Sequence, residues 1–137
     1  MKGQISVELI IILFAVMVIF SFLLSSIGSQ QSEFVSSRNT LHAKEVAEKV
    51  ASSMNGVFLA GYNTSKNISL PTTLRGNTTY MLSVNDTAQL LYIAYNDKTY
   101  NVPLLTSNIT GNFLTSGSGR ILQINSTGGG IKIGFTA

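Results

Sequence analysis

The chain has 137 residues, a net charge of +3, no cysteine, no tryptophan and a single histidine. That length leaves room for one modest domain beyond an N-terminal segment, and the lack of cysteine excludes disulfides, thiolate metal sites and cysteine nucleophiles. Its nine Lys and Arg residues are scattered singly without aromatic interleaving, so the basic balance forms no patch for nucleic acid.

Charged residues are only 11% of the chain, and Ser, Thr, Asn and Gly fill the difference. Residues 5–27 are apolar apart from Ser6, Glu8, Ser21, Ser25 and Ser26, and 9–20 is an unbroken apolar run. A helix over this stretch extends about 34 Å, enough to cross a bilayer. Lys2 precedes the stretch and the next positive charge is Arg38. That asymmetry places the N-terminus in the cytoplasm and the remainder outside.

Beyond Gly28 a helical period sets in. Ala43, Val46, Ala47, Val50, Met54 and Val57 share one face, and Lys44, Glu45, Glu48, Lys49 and Ser52 fall opposite. Phe34 and Leu41 form a second apolar stripe pointing elsewhere, as expected of a helix that packs on its own head and on a neighbouring subunit. The pattern predicts one helix over about 4–59, roughly 80 Å long, apolar over 4–27 and amphipathic over 28–60. Gly56 or Gly61 ends it.

Residues 61–137 change to short apolar runs between turn residues. Segments 79–84, 89–95 and 98–102 read as strands, the last two joined in a hairpin across Asn96-Asp97. Pro103 belongs at a strand end or on an edge. Segments 120–125 and 131–136 form a second hairpin across Thr127-Gly128-Gly129-Gly130, with Ile131, Ile133 and Phe135 alternating with Lys132, Gly134 and Thr136. The predicted fold is α+β, a long N-terminal helix packed on a small antiparallel sheet.

The N-terminus reads Met1-Lys2-Gly3-Gln4-Ile5-Ser6-Val7-Glu8-Leu9. A conventional secretory signal is cut after its apolar region, and Ser26-Ile27-Gly28 offers a mediocre site for that. Glu8 argues against it. A charge at the centre of a membrane helix costs about 2.5–3.5 kcal/mol on insertion scales, less near an end, and a disposable signal has no use for it.

Lys2, Gly3 and the Gln4-x-Ser6-x-Glu8 pattern entering an apolar run resemble the class III signal of euryarchaeal type IV pilins. The resemblance implies a leader of residues 1–3, cut on the cytoplasmic side between Gly3 and Gln4, with Lys2, Ser6 and Glu8 as recognition residues. It further implies a pilin-like fold, a prepilin peptidase, an assembly ATPase and platform protein as partners, and a homopolymeric or mixed adhesion filament outside the cell. The precursor waits in the cytoplasmic membrane. Physical chemistry gives Glu8 a role beside this one. Cleavage frees an amine at Gln4, one helical turn from Glu8, and a charge buried among bundled apolar helices persists only when paired. The amine of an adjacent subunit is a suitable partner; an acid at the membrane interface is the rival account.

Asn63, Asn67, Asn77, Asn85, Asn108 and Asn125 each open an Asn-x-Ser/Thr sequon. The composition of the segment would produce about two by chance, and the excess points to N-glycosylation of a translocated, exposed head. The rival account is that Asn, Ser and Thr are turn and strand-edge residues. No catalytic constellation stands beside them. His42 has no second ligand at metal spacing, Asp86 and Asp97 lie in turns without a third group, and Ser116-Gly117-Ser118-Gly119 lacks the nucleophile-elbow pattern. Gly128-Gly129-Gly130 lacks the Lys-Ser/Thr of a phosphate loop.

The expected protein is therefore a structural filament subunit without enzymatic activity, cofactor or metal. The alternatives are a monomeric signal-anchored surface-binding protein and a secreted domain released after Gly28.

Overall fold

A computed structural model of the chain describes residues 2–111, 115–116 and 121–136. One α-helix, α1 (Lys2–Ala60), is followed by eight strands: β1 (Ser65–Ser69), β2 (Met81–Asn85), β3 (Leu90–Tyr95), β4 (Lys98–Pro103), β5 (Ile109–Gly111), β6 (Thr115–Ser116), β7 (Ile121–Ser126) and β8 (Ile131–Thr136). No proline precedes Pro71, so nothing in the first 60 residues removes a backbone donor from the helix. The helix has no acidic residue in its first turn and no basic residue in its last. Its termination falls to Gly61, whose left-handed backbone (φ 84°) ends the repeat while its N–H donates to the Phe58 carbonyl at 3.3 Å.

The chain divides into two compact units, Met1–Ser37 and Arg38–Ala137. In the first, every large apolar side chain over residues 7–27 is more than half exposed, from 54% at Val18 to 77% at Phe22. A helix apolar on all sides is stable in water only when something covers it. Ser21 does not interrupt this character, because its hydroxyl donates to the Met17 carbonyl one turn back at 2.9 Å. The helix is long and apolar enough to cross a membrane.

In the second unit the stripe predicted for the helix is buried in full. Ala43, Val46, Ala47, Val50, Met54 and Val57 join Ala51 and the inward residues of the strands in one hydrophobic cluster. Glu45, Glu48, Lys49 and Ser52 remain exposed. Strand residues alternate as a half-buried sheet requires: Leu91, Ile93 and Tyr95 of β3, Leu122 and Ile124 of β7, and Ile131 and Ile133 of β8 all point inward. Each large side chain fully removed from water, such as Met54, Leu82, Ile93 or Leu122, contributes about 1.5–3 kcal/mol.

The strands form two four-stranded sheets, ordered β1-β7-β8-β5 and β4-β3-β2-β6. This corrects the expectation of a single antiparallel sheet, because β5 pairs parallel to β8 (Ile109↔Ile131, Gly111↔Ile133). Parallel neighbours need a crossover connection. Here the chain supplies it by leaving β5 for the other sheet at β6 and returning through β7. The hairpins agree with expectation. Tyr95↔Lys98 closes β3 on β4 across Asn96 and Asp97, both with positive φ (42° and 57°), the geometry of a primed turn. Pro103 is the last residue of the edge strand β4.

Candidate functional site

Lys2, Gly3 and Gln4 begin α1, and their side chains lie outside the described residues. Ser6 and Glu8 stand on the same helix with exposed side chains, Glu8 one turn beyond Gln4. Among the described residues Glu8 has no ion pair within the chain. The acid thus stands at the entrance of the exposed apolar run, on the element that also carries Phe34 and Leu41, each 67% exposed.

The six sequon asparagines fall into two groups by backbone context. Asn63 and Asn77 are exposed turn residues with left-handed backbones (φ 67° and 59°), and Asn85 is exposed where β2 runs into its turn. The Asn85 Oδ1 accepts from the Ala88 N–H at 2.9 Å. The other three belong to the β1-β7-β8-β5 sheet. Asn67 and Asn125 stand in paired strands, opposite Gln123 and Ser65. Asn108 leads into β5, and its Nδ2 donates to the Gly129 carbonyl at 3.3 Å.

Of the residues considered for chemistry, His42 is not a free helix residue. Its Nδ1 accepts from the Arg75 backbone N–H at 3.1 Å, which leaves the remaining ring proton on Nε2 and ties the segment after β1 to the helix. Asp86 and Asp97 are in turns, as expected. Ser116 lies in β6, and the side chain of Ser116 with residues 117–119 lies outside the described residues. Gly128 and Gly129 have positive φ (76° and 141°) and make the β7–β8 turn. No group of three or more His, Asp or Glu able to hold a metal occurs among the described residues. An open groove of about 470 Å³ runs beside the β3–β4 turn between Tyr80, Tyr95, Asp97 and Lys98. It brings together no nucleophile and base.

Sequence reasoning missed the polar residues that clamp the helix to the strands and the loops between them. Asn39 is 5% exposed and its Nδ2 donates to the Thr78 hydroxyl at 3.1 Å, while its Oδ1 has no partner. The Asn55 Oδ1 accepts from the Leu105 N–H at 2.9 Å. Tyr100 donates to Glu48 at 3.2 Å, with the Lys44 ammonium 5.1 Å from its ring centre. Partial burial, then the bond to Glu48 and its charge, raise the Tyr100 hydroxyl above its ordinary range. One signal was available: stepping the apolar stripe back by four residues from Ala43 lands on Asn39.

Compared with protein-family models, curated proteins and solved structures, the chain matches none.

Proposed function

We propose that this chain is the structural subunit of an extracellular adhesion filament of the archaeal type IV pilus kind, without enzymatic activity. The observation that carries the reading is a helix whose large apolar side chains over 7–27 are exposed on every side, entered through Glu8 and continuous in α1 with the stripe that anchors a β head. Before assembly such a helix rests in the cytoplasmic membrane. After removal of residues 1–3 by a prepilin peptidase, equivalent helices bundle and cover one another. The driving force is packing and charge pairing, since lipid and neighbouring helices are similarly apolar. Glu8 then meets the new amine at Gln4 of an adjacent subunit, and the heads form the outer sheath that touches surfaces.

Weak charge in the head agrees with this reading when several of its sequons carry glycans, because sugar replaces ionic groups as the solubilising layer. The same helix serves a monomeric surface anchor equally well, so the mature N-terminus is the discriminating measurement. N-terminal sequencing of extracellular material is expected to begin at Gln4. A start at Met1 or Lys2 would establish the anchored monomer instead, and a start at Ser29 the secreted domain.

A further inference from the structure

We propose that the fold sorts the sequons of the head: Asn63, Asn77 and Asn85 take N-linked glycans, and Asn108 is withheld as a structural amide. The inference rests on the reading of the head as an exported domain and goes beyond it in assigning the acceptors.

Transfer requires the side-chain amide as nucleophile. Nδ2 bonds to the anomeric carbon of a saccharide carried on a polyprenyl phosphate or diphosphate. The carbon–oxygen bond to the phosphate breaks, the lipid phosphate leaves with the bonding pair, and one amide proton passes to base. An acceptor must therefore offer a reachable Nδ2 on a segment that the transferase can surround, which surface turns provide.

Asn63 and Asn77 meet this condition as exposed turn residues with left-handed backbones. Asn85 meets it more fully. Its Oδ1 is fixed by the Ala88 N–H, and among the described residues its Nδ2 has no hydrogen-bond partner.

Asn108 is exposed by area, yet its backbone N–H, its carbonyl and the Nδ2 that would carry the sugar are all committed. Its backbone N–H donates to the Thr106 hydroxyl at 3.1 Å, its carbonyl accepts from the Ile131 N–H at 2.9 Å, and its Nδ2 donates to the Gly129 carbonyl at 3.3 Å. The side chain also occupies the space above Gly130, where a Cβ would come within 2.7 Å of its Cγ and Nδ2. Asn108 thus joins the start of β5 to the β7–β8 turn, and a glycan on it would require that junction to open. Exposure alone does not separate the two classes; use of the amide does.

Glycopeptide mass spectrometry of the full-length protein from its source cells tests the assignment. Glycan is expected at Asn63, Asn77 and Asn85, with Asn108 bare. Occupancy of Asn108 comparable to the turn sites, or three bare turn sites, would overturn it. Two full-length variants test the physical cause. Asn85→Gln should remove one glycan's mass and leave protease resistance unchanged, whereas Asn108→Gln should keep the glycan mass and shorten survival under protease several-fold. An Asn108→Gln chain as resistant as wild type would sink the structural role. Electron microscopy of the same cells separates this proposal from the filament reading: filaments built of bare heads would overturn only the glycan assignment, and glycosylated heads without filaments only the assembly.

Discussion

Tyr80 has a hydroxyl that the folded head needs in one protonation state. The residue is 2% exposed and donates to the Pro71 carbonyl at 2.6 Å. Burial pushes its ionisation up from 10.0 to about 12. The folded chain therefore holds this proton more tightly than the unfolded chain does. Stability from Tyr80 is intact below pH 10 and falls as the pH rises from 10 towards 12, by about 2–3 kcal/mol over the window. Tyr100 is shifted in the same direction, so its effect has the same sign. Urea unfolding followed between pH 8 and 12 should show the decline. In Tyr80→Phe the slope should flatten, at a cost of about 1 kcal/mol near neutrality for the lost bond to Pro71. An unchanged alkaline slope in that variant would place the titration elsewhere.

At the scale of elements, what was legible depended on how local the determining signal is. The helix stripe repeats every three or four residues, and the Asn96-Asp97 turn is specified by its own two residues, so both could be read directly. Strands β1 and β5 could not: each contributes a single apolar residue, Ile68 and Ile109, and finds its partner far along the chain. The candidate site divides the same way. Glu8 and the sequons are short patterns, whereas the bond that sets Asn108 apart comes from Gly129, 21 residues on. The β5–β8 pair also makes its own prediction. Gly111 has φ 119°, and a Cβ there would fall onto the Ile133 carbonyl oxygen. Gly111→Ala should therefore cost about 3 kcal/mol or more. Gly134 on β8 has nothing within 4 Å of its Cβ position, so Gly134→Ala should stay within about 0.5 kcal/mol of wild type. Thermal midpoints of the two variants give the comparison, and equal midpoints would mean that β5 is dispensable.

For the whole molecule the division at Ser37 and Arg38 separates two kinds of stability. Among the described residues, every buried hydrophobic side chain lies within Arg38–Ala137, while the large apolar side chains over 7–27 are more than half exposed. A fragment beginning at Arg38 should fold as a soluble monomer by size exclusion and circular dichroism. Filaments from that fragment, as abundant as from the full chain, would move the polymer contact into the head. The polymer mechanism itself turns on Glu8. If Glu8 pairs with the Gln4 amine of a neighbour, Glu8→Gln preserves shape and insertion but leaves that amine without its countercharge. An unpaired charge left after removing its partner from a buried pair typically costs about 3–5 kcal/mol. The penalty recurs at each added subunit, so filament number should collapse while precursor level and leader cleavage stay near normal. The interfacial account of Glu8 predicts the reverse, since a neutral glutamine crosses the membrane at least as easily as the acid. Immunoblots for cleavage and electron microscopy for filaments separate the two. Normal filament number with normal cleavage in Glu8→Gln would remove the charge pair from the mechanism and leave apolar packing of the helices as the force that holds the polymer.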